Sequence, residues 1–288
     1  MNLTETAYAK INLALHVCRR REDGYHELET LFAFVDPGDV LWVEPAESLT
    51  LEITGRFGQE LAPDDDNLVL RAARALHLAF DRDAAEEREW TRRLGRPNGA
   101  KITLEKNLPV ASGVGGGSAD AAAAIRLLTA LWDLPDDLGR HLAIAAELGA
   151  DVPACIASQA CIGTGTGTDL DLADNDLAGT PVLLVNPRVP LSTGPVFKAW
   201  DGVDRGALPS GPASRIAREG RNDLEAPAIS LCPVIAEVLA ALQATAPWLA
   251  RMSGSGATCF ALYDTPEARD AAAVAMPSGW WTMAGRLR

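Results

Sequence analysis

Lys106-Asn107-Leu108-Pro109-Val110-Ala111-Ser112-Gly113-Val114-Gly115-Gly116-Gly117-Ser118-Ala119-Asp120 is the stretch from which the fold of this chain is read. Four of the five residues from Gly113 to Gly117 are glycine, and an alanine-rich run with Ile125, Leu128 and Trp132 at helical spacing follows at once. Glycine reaches positive φ and lets the backbone approach a ligand, so that successive N–H groups can converge on oxygen atoms. The helix behind adds its unpaired first-turn amides and the positive end of its dipole. One such dipole contact contributes only about 0.3–1 kcal/mol, so a ligand held here needs several amides at once. A bare strand-to-helix turn does not need four glycines, each of which costs extra chain entropy on folding. We therefore expect a phosphate cradle built from Pro109, Val110, Ala111, Ser112, Gly113, Val114, Gly115, Gly116, Gly117, Ser118 and Ala119. Two common cradles do not fit. No lysine follows in the Walker A manner, and Ser118 stands where a dinucleotide fingerprint has its third glycine.

The bulk properties narrow the ligand. A formal net charge of -13 over 288 residues disfavours a nucleic-acid backbone, which needs a surplus of Lys and Arg. A small phosphorylated ligand would then depend on local amides, a metal ion or one or two lysines. Residues are 48% hydrophobic and 23% charged, an ordinary globular composition long enough for two lobes. The five cysteines, Cys18, Cys155, Cys161, Cys232 and Cys259, are odd in number and form no C-x-x-C pair, so reduced thiols are expected and structural zinc is not. With no basic leader and no apolar run of spanning length, a cytoplasmic protein without membrane contact is the expectation.

Outward from the glycine loop, Ile102 to Leu104 reads as a short strand, and His141 to Leu148 as a helix stopped by Gly149. The first 54 residues alternate in strand fashion at Ile11, Leu13, Leu15 and Val17, then again around Val40–Val43 and Leu49–Leu51, which reads as a β-meander. Asn67 precedes a helix beginning at Leu68. The charged stretch 81–98 reads as a solvated helical extension or a surface excursion, with no chemistry assigned. Past Gly167, strand (182–185), helix (234–242) and strand (259–262) follow in an α+β manner, with a lobe boundary placed near residue 160.

The loop resembles the P-x-x-x-G-x-G-G-G-S signature of the GHMP kinases, with Ala111, Ser112 and Ala119 at positions that differ in many members. Met252-Ser253-Gly254-Ser255-Gly256-Ala257-Thr258-Cys259-Phe260 is similar to the third motif of that family. Ala9-Lys10-Ile11-Asn12-Leu13 and Asp23-Gly24-Tyr25-His26-Glu27-Leu28 resemble the branch that phosphorylates cytidine diphosphate-linked methylerythritol, and Gly149–Pro153 and Asn222–Glu225 fit the same branch. The resemblance implies an α+β GHMP kinase fold of two lobes around a cleft. Residues 1–160 would form an N-terminal nucleotide-binding lobe like the second domain of ribosomal protein S5. Residues 161–288 would form a ferredoxin-like C-terminal lobe. It also implies ATP as donor with Mg²⁺, a small-molecule alcohol as acceptor, and a monomer or homodimer. Another member of the family, of homoserine or mevalonate type, is the alternative.

Roles follow residue by residue. Lys10 and Asn12 lie two apart on a strand, so both side chains share one face and can share one ligand. By resemblance Lys10 holds the reacting hydroxyl and the transferring phosphoryl, and Asp151 is the base or orienter. Asp151 can equally cap the helix start before Pro153, and the two roles are compatible. Tyr25 and His26 follow the turn dipeptide Asp23-Gly24, and the resemblance assigns them to the cytidine. Thr193 is a further candidate for the same substrate. The Ser118 hydroxyl is a candidate Mg²⁺ ligand beside the phosphates, and the carboxylate ligands of the metal stay open.

Overall fold

Continuous buried runs mark the first two strands. In β1 (Leu3–Arg20) the run from Ala9 to Val17 is buried throughout, and Lys10 and Asn12 lie within it. A tight turn joins β1 to β2 (His26–Ala46): Gly24 has φ 87°, Arg21 N donates to Tyr25 O at 2.8 Å, and Asp23 Oδ1 accepts from Tyr25 N at 3.0 Å. The computed structural model describes residues 3–81 and 99–288. All but the first residue of the charged stretch 81–98 lies outside them. The chain divides into two units, and neither is one continuous segment.

The first unit takes residues 1–8, 38–110 and 116–157. Here β4 (Gly99–Glu105) pairs antiparallel with the second half of β2, Leu41 opposite Leu104. The strand β3 (Thr50–Thr54) corrects the expected meander. It lies parallel to β4, with Leu51 opposite Ile102, and does not fold back onto β2. The physical reason is that β4 occupies the edge of β2 that a meander strand would need. Among the described residues four α-helices belong to the unit: α1 (Leu68–Asp81), α2 (Gly116–Leu131), α3 (Leu138–Leu148) and α4 (Val152–Ala157). Asn67 Oδ1 accepts from Val69 N at 3.0 Å and so caps α1. Helix α2 is the central one. Its alanines at 119 and 121–124 are buried, and these small side chains let α1 and α4 pack closely against it. Asp137 caps α3 through Arg140 N, and Gly149 ends it.

The second unit takes residues 9–37, 111–115 and 158–288. Its strands β7 (Pro181–Asn186), β8 (Leu249–Met252), β9 (Cys259–Leu262) and β10 (Trp281–Leu287) run antiparallel in the order β2-β10-β7-β9-β8. The hairpin β5 (Cys161–Thr164) and β6 (Asp169–Leu172) pairs with the first half of β2 through Thr30, Leu31 and Phe32. Helices α5 (Thr193–Lys198), α6 (Ala213–Glu219), α7 (Glu225–Leu231), α8 (Val234–Gln243) and α9 (Pro266–Ala275) supply the rest. The core joins Val17, Leu183, Val185, Leu224, Ile235, Val238, Leu242, Met252 and Tyr263. At about 25 cal/mol per Å² of buried apolar surface, it is the burial of these side chains that drives the packing. No described helix is long and apolar enough to cross a membrane.

Candidate active site

The glycine loop leaves its strand at Lys106 and enters α2 at Gly116. Its backbone is left-handed at Ala111 (φ 49°), Gly113 (φ 80°) and Gly115 (φ 61°). At Gly113 only glycine fits, because a Cβ would stand 2.7 Å from both Gly256 O and Ser253 O. Ala111 holds the same kind of φ with a methyl group, which costs about 1–2 kcal/mol for an L-residue.

The segment 111–115 is stitched to β1 and to the turn before β9. Lys10 N donates to Val114 O at 2.9 Å, Thr258 N to Ser112 O at 3.0 Å, and Ser253 Oγ to Gly113 O at 2.8 Å. Ser253 Oγ also accepts from Asn12 N at 3.2 Å. Lys10 is 3% exposed, donates from Nζ to Asn12 Oδ1 at 3.2 Å, and lies over the Phe32 ring at 4.8 Å. Asn12 in turn donates to Thr30 Oγ1 at 2.8 Å. A Cβ on Gly115 would stand 3.0 Å from Lys10 Cε, and one on Gly254 would stand 3.2 Å from Asn12 Oδ1. Lys10, Asn12, the 111–115 segment and the Ser253–Gly256 turn therefore meet at van der Waals distance. A buried ammonium beside a loop able to bend its amides toward a phosphate is suited to phosphoryl transfer, where charge spreads over the equatorial oxygens.

Residues 67–159 match the GHMP kinases N-terminal domain, and residues 207–280 the GHMP kinases C-terminal domain. The chain is 59% identical over 288 residues to 4-diphosphocytidyl-2-C-methyl-D-erythritol kinase of Novosphingobium aromaticivorans, covering 100% of this chain and 94% of that one. It is 56% identical to the enzyme of the same name from Erythrobacter litoralis, covering 99% and 100%. The chain belongs to the 4-diphosphocytidyl-2-C-methyl-D-erythritol kinase family of GHMP kinases. A crystal structure of 4-(cytidine 5'-diphospho)-2C-methyl-D-erythritol kinase superposes with TM-score 0.76 at 36% identity, covering 99% of each chain. A homoserine kinase from Cytophaga hutchinsonii, at TM-score 0.64 and 18% identity, shares the fold. The chain is thus a small-molecule kinase with the GHMP kinase fold.

The other predicted site residues of this GHMP kinase sit as follows. Tyr25 is 65% exposed at the tip of the β1–β2 turn, whereas His26 beside it is 7% exposed. His26 Nε2 accepts from Arg20 Nε at 3.3 Å, and its ring packs against Phe197 at 5.1 Å and edge-on against Trp200 at 5.8 Å. Burial, helped by the Arg20 charge, pushes the imidazole below its ordinary value, so the ring is neutral at pH 7. Thr193 Oγ1 lies 3.0 Å from Ser255 Oγ, which places it on the Ser253–Gly256 turn. Asp151 is half-buried in the turn between α3 and α4, where Val152 N donates to Gly149 O at 3.1 Å. It belongs to the first unit and Lys10 to the second. Pro109 and Val110, with Gly116 to Ala119, belong to the first unit as well.

Sequence reasoning did not single out three groups of residues. Asn222 Nδ2 donates to both Met252 O and Gly254 O at 2.8 Å and so holds the third-motif turn, although its segment had been matched. Phe197 and Trp200 carried no signal beyond being aromatic. Asp39, Lys106 and Asp120 form a buried ion cluster, and only the rarity of charge in apolar runs could have flagged it.

A metal site can be tested against the donors present. Among the described residues no group of three His, Cys, Asp or Glu side chains is placed to hold an ion. Mg²⁺ commonly needs only one or two protein oxygens beside substrate phosphates and water. Ser118, half-buried at the third position of α2, offers such an oxygen.

Proposed function

We propose that this kinase transfers the γ-phosphoryl of ATP to the 2-hydroxyl of 4-diphosphocytidyl-2-C-methyl-D-erythritol, a step in making isoprenoid precursors by the methylerythritol phosphate route. The observation that carries the reading is the Lys10 side chain lying against Gly115 of the glycine loop. In this reading Pro109 to Ala119 cradle the phosphates with main-chain amides, and Lys10 neutralises charge that develops on the moving phosphoryl group. Asn12 orients the Lys10 ammonium. Asp151, assigned by family resemblance, accepts or orients the hydroxyl proton. A strong base is not needed there, because the transition state of phosphoryl transfer is loose. Mg²⁺, with Ser118 as one protein ligand, would offset the negative charge of the phosphates.

Specificity for the cytidylated alcohol rests on the β1–β2 turn. A neutral His26 whose Nε2 accepts from Arg20 carries its proton on Nδ1 and has that donor to offer a base edge, and the exposed Tyr25 ring offers a stacking face. Thr193 supplies a hydroxyl to the same substrate. A site built to hydrogen-bond a polar edge rejects analogues that leave its groups unpaired.

The test is ADP release from Mg²⁺-ATP with three alcohols offered separately: the cytidylated methylerythritol, homoserine and mevalonate. Turnover confined to the first is expected. Equal use of all three, or a preference for either of the others, rejects the proposal. We place the working enzyme in the cytoplasm, where ATP and its sugar-alcohol substrate are both available.

A further inference from the structure

Against Leu108 and Gly116, the two ends of the glycine loop, lies a buried ion cluster that none of the roles above uses. Lys106 is 1% exposed, Asp39 0% and Asp120 2%. Lys106 Nζ donates to Asp39 Oδ2 and, at 2.7 Å, to Asp120 Oδ2. The other oxygen of Asp39 accepts from Asn107 N at 2.6 Å and Leu108 N at 2.8 Å, the two amides that lead into the loop. The Lys106 backbone is itself pinned, its N donating to Thr54 O at 2.9 Å and its O accepting from Phe57 N at 3.0 Å. On the far side of the loop, Gly116 opens α2 directly over the ammonium: a Cβ there would stand 2.9 Å from Lys106 Nζ and 3.5 Å from Leu108 Cβ.

The cluster therefore ties both ends of the loop to one point. Asp39 holds the entry through two amides, and Asp120 holds the exit from α2. Lys106 joins the two carboxylates. Thermal stability is a poor explanation for such a device, because a buried ion cluster usually adds little over apolar packing of the same volume. One carboxylate oxygen, Asp120 Oδ1, has no hydrogen-bond partner at all, a cost that stability alone would not favour. What the cluster does supply is a fixed separation between Leu108 and Gly116, set by short charge-assisted hydrogen bonds.

We infer that Asp39, Lys106 and Asp120 are positioning residues for the phosphate cradle, acting on the loop's two ends and touching no substrate themselves. The inference rests on the reading that the loop binds the phosphates of ATP. Supporting shells of this kind decide whether a site's donors stay within a fraction of an ångström of the productive geometry. Misplacement of about 1 Å can cost on the order of a hundredfold in rate.

The variant Asp120→Ala tests it, since it leaves Lys106 and Asp39 as a balanced pair and removes only the tie to α2. The expected result has two parts. The Michaelis constant for ATP rises about tenfold or more while that for the alcohol stays within about twofold, and amide hydrogen exchange in 109–119 speeds up without nucleotide. Asp120→Asn keeps an oxygen for Lys106 and is expected to restore both readouts to near wild type. Should Asp120→Ala fail to fold, Gly116→Ala puts a methyl group against the ammonium and is expected to give the same pair of changes. A lower melting temperature with unchanged ATP constant and unchanged exchange would make the cluster purely structural and overturn the inference. Both changes appearing in Asp120→Asn as fully as in Asp120→Ala would also overturn it. Wild-type protein that binds no ATP sinks the cradle reading instead, so the two failures are distinct.

Discussion

Lys10 Nζ donates to Asn12 Oδ1 at 3.2 Å, and both side chains are 3% exposed on one face of β1. The pair is oriented from behind, since Asn12 Nδ2 spends a donor on Thr30 Oγ1, which in turn donates to Ala14 O at 2.7 Å. Its Oδ1 is thereby left facing the ammonium. Lys10→Ala should lower kcat by a hundredfold or more, on the order seen when a donor to developing charge is removed. Asn12→Ala should cost less, about tenfold, because it disorders the ammonium without removing it. Steady-state kinetics on both variants decides, and near-normal turnover in Lys10→Ala would remove it from the chemistry.

Gly115 offers a subtler probe of the same contact. Its φ of 61° is unfavourable for alanine by about 1–2 kcal/mol, and the new methyl would press on Lys10 Cε at 3.0 Å. Gly115→Ala is therefore expected to fold with a reduced melting temperature and to lose kcat. A variant that loses stability but keeps its full turnover would show that the loop and Lys10 work independently.

Asp151→Asn should lower kcat by about a hundredfold while leaving the ATP Michaelis constant near its wild-type value. If Asp151 served only as a helix cap, the same change would cost about 1 kcal/mol or less of stability and little rate. Thermal melts beside the kinetics separate the two.

His26→Ala should raise the Michaelis constant for the cytidylated alcohol about tenfold to a hundredfold, with ATP unaffected. Because the folded imidazole titrates below its ordinary value, the stability tied to its neutral form is complete above about pH 6.5 and is lost as pH falls through the folded value. Substrate affinity should follow the same direction, flat above neutrality and weakening on the acid side. Phe197→Ala, which removes the ring 5.1 Å from His26, is expected to weaken that substrate alone. A parallel loss of ATP affinity in either variant would contradict the assignment.

Asp120 supplies a prediction in stability. Burial, with Asp39 adding to it against the pull of Lys106, holds its carboxyl up at about 8. Burial alone would lower Lys106, but Asp120 and Asp39 outweigh it and keep the ammonium above its ordinary value. An unfolded aspartate titrates near about 3.9, so the folded chain binds the extra proton between those values. The favourable contribution is complete below about pH 4 and drains away as pH rises to about 8. Asp120→Asn has no such proton, so its melting temperature relative to wild type should climb from pH 5 to pH 9. A pH-independent difference would show that Asp120 is ionised throughout.

Much of the fold was legible along the chain. The α1 start at Asn67, the stop of α3 at Gly149 and the strands near 182 and 259 follow from caps and periodicity that act over a few residues. The partner of β3 was not legible. Its alternating pattern is satisfied equally by either neighbour, and only the placement of β4 settles the parallel pairing.

The amino-acid sequence by itself determined the glycine loop, the strand carrying Lys10 and Asn12, and the turn carrying Tyr25 and His26, because each is a local pattern with a local physical cause. Tertiary structure alone decided that Gly115 rests on Lys10 and that Asn222 grips the Gly254 turn. It alone placed Asp39 and Asp120 on either side of Lys106. Those contacts join residues 14 to more than 100 positions apart, and such pairings are set by which buried polar groups can satisfy one another once the core has closed.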